Sequence, residues 1–283
     1  MYQAGLEAYI AKVEESRKQR DAELTVDLGW LTLVGLFWLQ EGENRFGTAT
    51  DNDLILSGSH APPYGGILHL DSLQADGKAV TLRVEPGVTM SVMDEPITER
   101  VLQSDASGAP DFVTFGSLTL IVIQRGNRVG IRIFDTNSPR RDAFGGLSWF
   151  PIEESYRIPG RFEPHDPPKP IQITNVLGDI HEAYSPGRVI FELNGQKHQL
   201  DAEDRGTSLF FNFRDGTNQY ETYPAGRFLY ADLPEDGYVT LDFNQATNPY
   251  CAYTAYATCP LPPPANHLSV RIEAGEKRFN ETL

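Results

Sequence analysis

The residues best suited to chemistry stand on a predicted β-hairpin, 227–244, near the C-terminus. A turn at 233–237 and the two-residue period of a strand place Arg227, Asp242 and Asn244 on one face, and Phe228 and Tyr230 on the opposite face, toward the core. Diagonal cross-strand neighbours lie about 7–8 Å apart, so an Arg227–Asp242 ion pair is within reach. A guanidinium fork suits an anion, which predicts a polar wall that faces a ligand. The alternative is a solvent-facing ion pair worth about 0–1 kcal/mol.

The segment 248–266, called the strap below, has an unusual composition. It is stiffened by prolines, and tyrosine recurs at every third position: Tyr250, Tyr253 and Tyr256. This spacing is typical of a polyproline-like or 3₁₀ stretch with three phenols on one side. Such a segment either walls a small-molecule pocket or packs its tyrosines on a β-sandwich with their hydroxyls hydrogen-bonded.

The candidate ligand-binding set therefore combines the hairpin and the strap, with two charged residues that could close one edge. Its members are Arg227, Asp242, Asn244, Asn248, Tyr250, Tyr253, Tyr256, Asn266, Glu273 and Lys277.

Cys251, Cys259 and His267 are spaced by eight positions. Zinc sites use closely paired ligands, and a nucleophilic cysteine needs a neighbouring base, so the spacing predicts two small buried thiols. His165 and His181 adjoin acidic residues but form no HxH or HExxH pattern. We therefore expect no metal site and no cofactor.

Three common enzyme motifs are absent from the sequence: GxGxxG after a strand, GxxxxGK[ST] and GxSxG. Their absence excludes ordinary Rossmann enzymes, P-loop NTPases and α/β-hydrolases. An unusual hydrolase stays open.

The chain of 283 residues carries 39 acidic and 24 basic residues, a net charge of −15. Binding to nucleic acid or to anionic membranes relies on clustered Lys and Arg, so neither partner is expected, while a protein partner stays open.

The N-terminus lacks the features of a secretory signal, and no window approaches the ~18 apolar residues of a membrane span. Since only two cysteines are present, the expected location is the cytoplasm, where both would be reduced.

Apolar residues at helical spacing, from Leu6 to Val13, predict one amphipathic helix over 5–24. Short apolar runs between turn residues follow, with hairpin signals at Gly126-Asn127 and Asn194-Gly195. The expected fold is mainly β, with an N-terminal helix over 1–24, a β-sandwich over 25–137 and a second antiparallel β domain over 138–283.

Several stretches resemble the prokaryotic domain-of-unknown-function family 1684. They are the long run 237–266, the shorter runs 274–277, 226–229, 149–152 and 156–157, and Gly35-Leu-Phe-Trp-Leu39. The resemblance extends over nearly the whole chain, and it implies kinship without supplying a reaction.

The N-terminal half also resembles a forkhead-associated domain, through Gly42-Glu-Asn-Arg-Phe-Gly47, Asn52-Asp-Leu-Ile-Leu56 and Ser59-His60-Ala61. Domains of that family are β-sandwiches that read phosphothreonine with an arginine directly after the arm glycine. Thr48 holds that position here, so the resemblance implies the sandwich scaffold without the bidentate phosphate clamp.

Three classes of function remain. The first is recognition of a small polar or anionic ligand in the C-terminal β domain, and the second is an enzyme that uses the same pocket. The third is a protein-interaction scaffold that acts through the N-terminal sandwich without reading phosphothreonine. Whether the protein is an enzyme stays open at this point.

Overall fold

A long α-helix, α1 (Tyr2–Thr25), precedes strands in the computed structural model, which describes residues 2–57, 61–71 and 79–279. The chain divides into two compact units. Unit 1 comprises Met1–Ala22 and Gly145–Leu283, and unit 2 comprises Glu23–Phe144. The domain limits expected from the sequence stay a prediction. Among the described residues, no helix has the length and apolarity needed to cross a membrane.

Unit 2 is built from short strands and one helical turn, α2 (Pro139–Asp142). The strands are β1 (Leu33–Trp38), β2 (Gly42–Gly47), β3 (Leu54–Ile55), β4 (Gly66–Leu70), β5 (Val80–Val84), β6 (Met90–Val92), β7 (Glu95–Ile97), β8 (Glu99–Leu102), β9 (Val113–Phe115), β10 (Leu118–Arg125) and β11 (Arg128–Asp135).

Among the described residues of unit 2, these strands form a six-stranded sheet, β1-β11-β10-β9-β6-β7, and a five-stranded sheet, β3-β2-β4-β5-β8. Apolar side chains from both sheets share one core, as in a β-sandwich. β10 is apolar along most of its length because it lies in the interior of its sheet and is buried on both faces. The Gly126-Asn127 hairpin is confirmed, since Arg125 pairs with Arg128.

The strands of unit 1 are β12 (Arg157–Thr174), β13 (Ile180–Leu193), β14 (Gln196–Asp201), β15 (Glu203–Asp204), β16 (Ser208–Phe213), β17 (Arg227–Asp232) and β18 (Tyr238–Asp242). Within the described part, they form a four-stranded sheet, β14-β13-β12-β18, and a three-stranded sheet, β15-β16-β17. A second apolar core includes residues of both sheets. The Asn194-Gly195 hairpin is confirmed, because Leu193 pairs with Gln196. The expected mainly β fold with an N-terminal helix and antiparallel sheets is confirmed.

The predicted hairpin 227–244 is wrong in its pairing. β17 and β18 belong to different sheets: Arg227 pairs with Phe213 of β16, and Asp242 pairs with Arg157 of β12. The turn residues do bring the chain back, through a bridge between Glu235 and Tyr238. Beyond that bridge each strand takes a partner that is distant in sequence, so the expected facing of Arg227 and Asp242 is lost.

The faces of β17 are also exchanged relative to the prediction. Arg227, Leu229 and Ala231 are buried and alternate along the strand, whereas Tyr230, expected in the core, is 57% exposed. A strand sends alternate side chains to opposite faces. Arg227 therefore points to the same side of the sheet as the core residue Leu229.

One stripe of α1 carries the contacts of the helix with the rest of unit 1. Tyr9, Val13, Arg17 and Arg20 recur at three- and four-residue spacing, which places them on one helical face. Val13 is fully buried and Arg20 nearly so. Arg17 donates to the Asn244 carbonyl at 3.3 Å and lies 4.7 Å from the Trp149 ring.

Gly275 and Gly237 provide a matched pair of substitutions. Their φ angles are +79° and +81°, but a Cβ at Gly275 would lie 2.5 Å from the Ala246 carbonyl oxygen, while at Gly237 it would meet nothing within 4 Å. We expect Gly237→Ala to cost about 1–2 kcal/mol from backbone strain. We expect Gly275→Ala to cost about 1–3 kcal/mol more, because the Cβ also overpacks its site. Urea unfolding of both variants measures the difference, and equal losses would contradict the close approach of the Ala246 carbonyl to Gly275.

Candidate functional site

Arg227 forms a buried ion pair that the sequence did not reveal. Its Nη2 lies 3.2 Å from Asp215 Oδ2, and both side chains are fully inaccessible to water. The guanidinium also donates to the carbonyls of Ile272 and Ala274 and lies 5.2 Å from the Phe213 ring. Burial lowers the pKa of Arg227 from its ordinary value, and the charge of Asp215 opposes that shift.

Asp215 is held as firmly as its partner. It accepts hydrogen bonds from the Thr217 hydroxyl at 2.8 Å and from the Ile272 amide at 2.6 Å. Its charge is therefore matched by two donors besides Arg227. The predicted role of Arg227 as an anion-binding fork is not supported by this geometry, since its donors face the protein interior.

Glu276 is the centre of a second buried polar group, which the sequence analysis missed. Its carboxylate accepts from the Asn248 amide at 2.9 Å, from Asn248 Nδ2 at 2.7 Å and from the Tyr253 hydroxyl. Arg20 of α1 donates to the Asn248 carbonyl at 2.9 Å and lies 5.5 Å from the Tyr253 ring. Burial raises the pKa of Glu276, while Arg20 acts in the opposite direction.

Asp242 and Asn244 are brought together, but with Tyr9 of α1 rather than with Arg227. The Tyr9 hydroxyl donates to Asp242 Oδ1 at 2.9 Å, and Asn244 Nδ2 donates to the Tyr9 oxygen at 3.0 Å. Asn244 also bonds both backbone groups of Glu153. Burial and then the Asp242 hydrogen bond raise the pKa of Tyr9. These contacts fix α1 to the end of β18.

The remaining candidates have separate environments. Asn266 bridges the backbones of Asp201 and Asn212. Glu273 is exposed and pairs with Arg271 at 2.9 Å. The residues not yet placed lie at or near the surface of unit 1: Tyr250 and Tyr256 are half-buried, and Lys277 is half-buried with its ammonium 4.9 Å from the Phe150 ring.

The surface with the most favourable binding chemistry lies on the three-stranded sheet and was not predicted. Glu203, Phe210 and Tyr230 are successive cross-strand neighbours on β15, β16 and β17. The rings of Phe210 and Tyr230 have centroids 5.0 Å apart. Arg205 lies 4.7 Å from the Phe210 ring and 3.1 Å from Glu203.

Tyr250 of the strap adjoins this row. Burial is the main cause that raises the Tyr230 pKa, and Tyr250, Arg205, Arg20 and Glu203 are the nearby groups that also influence it. We call Glu203, Arg205, Tyr230 and Tyr250 the tyrosine face; the buried Phe210 lies between Glu203 and Tyr230 in the sheet. The feature of the sequence that could have revealed this face is Tyr230, an aromatic residue at an exposed position of β17. The assumed register of β17 had assigned that position to the core.

The forkhead-associated resemblance falls on β2, β3 and the loop before β4. Thr48 donates its amide to the Pro62 carbonyl at 3.0 Å, and Asn52 bonds the carbonyls of Ala49 and Pro63 at 2.9 Å. Ser59 and His60 lie outside the described residues. A groove of about 290 Å³ adjoins this region, lined by Arg45, Asp51, Asn52, Tyr64, Gly66, Ile67 and Glu85. The scaffold function of this half stays a prediction.

Within 2–57, 61–71 and 79–279, no three His, Cys, Asp or Glu side chains are grouped so that they could hold a metal ion.

Residues 142–277 match the family described as "Protein of unknown function (DUF1684)". Over this region, the chain is similar to the DUF1684 family. The DUF1684 region includes every strand of unit 1 and excludes nearly all of unit 2. The resemblance expected over nearly the whole chain is therefore shown for 142–277 alone.

Two solved structures are similar to parts of the chain. The solution NMR structure of an uncharacterized protein from Haloarcula marismortui is 33% identical over 49% of this chain and 79% of that chain, with a TM-score of 0.41. The crystal structure of the FhaA FHA domain complexed with the intracellular domain of Rv3910 is 17% identical over 34% of this chain and 96% of that chain, with a TM-score of 0.24. No curated protein matches the chain.

The buried ion pair of the DUF1684 region predicts an asymmetric response to substitution. Asp215→Ala leaves Arg227 buried without its carboxylate, so we expect a loss of about 3–5 kcal/mol of unfolding free energy. Glu273→Ala removes an exposed partner of Arg271 and is expected to cost at most about 1 kcal/mol. Chemical denaturation measures both, and similar small losses would show that the buried pair is dispensable.

Glu276 predicts a pH dependence of stability. Its pKa is raised in the folded chain above the ordinary value of 4.5. Its contribution is therefore fully present below the unfolded pKa and is lost as the pH rises through the folded pKa. Glu276→Gln cannot titrate. The unfolding free energy of the wild type minus that of the variant should thus fall as the pH rises above 4.5. Urea titrations from this pH upward test the sign, and a difference that grows with pH would contradict it.

Proposed function

We propose that unit 1 recognises a small hydroxylated anion, of the kind represented by a sugar phosphate, at the tyrosine face. The observation that carries the proposal is Tyr230, a residue that is 57% exposed and that stands in a cross-strand row with a carboxylate and beside a guanidinium. The side chain of Arg205 is itself 49% exposed. Both groups can therefore reach a ligand in solution without any rearrangement of the core.

Each group of the tyrosine face suits one part of such a ligand. The Tyr230 ring offers an apolar surface against which the C–H face of a sugar ring packs. The Arg205 guanidinium provides charge-assisted hydrogen bonds to an anionic oxygen. The Glu203 side chain is only 12% exposed and already accepts from Arg205 at 3.1 Å. Its remaining acceptor capacity suits a hydroxyl group.

The net charge of the chain makes a local cation necessary for this recognition. At −15, the protein repels anions at long range, but that field is screened beyond about 8–10 Å at physiological ionic strength. Close contacts then decide the affinity. Arg205 lies close enough to the face to make such a contact, and the buried Arg20 is a second positive charge that lowers the Tyr230 pKa.

The cytoplasm is part of the proposal. It is supported by the acidic composition and by two cysteines that are both free thiols in the structure. Phosphorylated metabolites of the proposed class would be encountered there.

A thermal-shift screen against sugar phosphates, nucleotides and dicarboxylates tests the proposal, because a ligand that binds only the folded state raises the melting temperature. For a compound that stabilises the wild type, we expect Tyr230→Ala and Arg205→Ala each to weaken binding at least about tenfold. Isothermal titration of the purified chain measures these affinities.

Tyr238→Ala is the matched control. Tyr238 is 57% exposed, like Tyr230, but it stands on β18 of the other sheet. It should leave the affinity unchanged. A hit that neither Tyr230→Ala nor Arg205→Ala weakens would place the binding site elsewhere, and a screen without hits among these anions would remove the proposed ligand class.

A further inference from the structure

The two cysteines of the chain lie against each other in the strap. Cys251 belongs to a short 3₁₀ turn, Tyr250–Ala252, and its backbone amide donates to Cys259 Sγ at 3.1 Å. The two thiols are also hydrogen-bonded to each other. The sequence predicts two small buried thiols, but only Cys259 is buried, and Cys251 is half-buried.

The contact changes the acidity of the pair. The hydrogen bond from the Cys259 thiol lowers the pKa of Cys251, while the same hydrogen bond, together with burial, raises the pKa of Cys259. A pair of this kind loses its first proton more readily than its second. The thiolate is the reactive form of cysteine, so the more accessible sulfur is also the more reactive one.

We propose that Cys251 and Cys259 form a redox-active dithiol, which a low-molecular-weight disulfide converts into an intramolecular disulfide. The Cys251 thiolate attacks one sulfur of the small disulfide, whose S–S bond breaks and releases one small thiolate. Cys259 then gives up its proton and attacks the Cys251 sulfur, which releases the second small thiol. The two cysteines are oxidised by two electrons in total, and the small disulfide is reduced to two thiols.

The surroundings hold the backbones of both cysteines in place. The Cys251 carbonyl accepts from the Tyr223 hydroxyl at 3.1 Å, and the Cys259 carbonyl accepts from the Val176 amide at 3.0 Å. Both ends of the loop are thus anchored to other elements of unit 1 before any bond forms. Preorganisation of this kind raises the effective concentration of the second thiol relative to that in a flexible chain.

The test compares the native chain with the same chain in concentrated urea. Reduced full-length protein is equilibrated with mixtures of reduced and oxidised glutathione, quenched with acid, alkylated and weighed by mass spectrometry. We expect a monomer lighter by two hydrogen atoms, with an equilibrium constant for disulfide formation at least about tenfold higher in the native chain. An equal or lower constant in the native chain would overturn the proposal, as would a stable glutathione adduct or a linked dimer.

Two variants assign the order of the steps. In Cys259→Ala, Cys251 should accumulate as the glutathione mixed disulfide, because nothing resolves it. In Cys251→Ser, the buried Cys259 should react with glutathione disulfide at least about tenfold more slowly than Cys251 does in Cys259→Ala. Similar rates in the two variants would contradict the assignment of Cys251 as the attacking thiol. The equilibrium measurement on the wild type requires neither variant to fold.

Discussion

Unit 1 is organised around a guanidinium that has no access to water. Arg227 can be buried only because a carboxylate and two backbone carbonyls surround it, and these come from distant parts of the chain. Asp215 follows β16, whereas the carbonyls of Ile272 and Ala274 belong to the C-terminal segment. A buried charge of this kind is tolerated only when its partners are held in place. The requirement therefore ties the last residues of the DUF1684 region to its central strands.

The same C-terminal segment carries a buried carboxylate, and the strap depends on it. Glu276 binds the amide and side chain of Asn248, where the strap begins, and the hydroxyl of Tyr253 within it. The strap is irregular, so its backbone groups cannot satisfy one another as they would in a sheet. Asparagine side chains supply the missing partners: Asn266 bonds the backbones of Asp201 and Asn212. Most of the polar residues that first suggested a binding site thus form hydrogen bonds that allow the irregular strap to pack over the apolar core.

Turn residues and apolar patterns, which are local in the sequence, predicted the strands and hairpins well. The site was harder to predict because the strands that carry it pair with strands distant in the sequence. Asn194-Gly195 defines its hairpin because a two-residue turn with positive φ at both positions fixes the register by itself. The turn before β18 reverses the chain equally well, but the pairing of the flanking strands was decided by β12 and β16. Glu276 sits in the sequence Gly-Glu-Lys, which is typical of an exposed turn, and only its donors explain its burial. The phase of β17 followed from the assumed hairpin, so Tyr230 was assigned to the core and the tyrosine face was missed.

The strap links the two chemical features of unit 1 through adjacent residues. Tyr250 belongs to the tyrosine face, and Cys251, the next residue, contacts Cys259. Both belong to the same 3₁₀ turn. A disulfide requires the two sulfurs to approach to about 2.05 Å with a narrow range of dihedral angles. The Cys251 amide would then lose the thiol that it now donates to. If the disulfide forms, we therefore expect the 3₁₀ turn that carries Tyr250 to shift, because Asn248 and Tyr253 on either side of it are hydrogen-bonded to Glu276. Because Tyr250 and Cys251 share this turn, we expect a change at the dithiol to reach the tyrosine face through it.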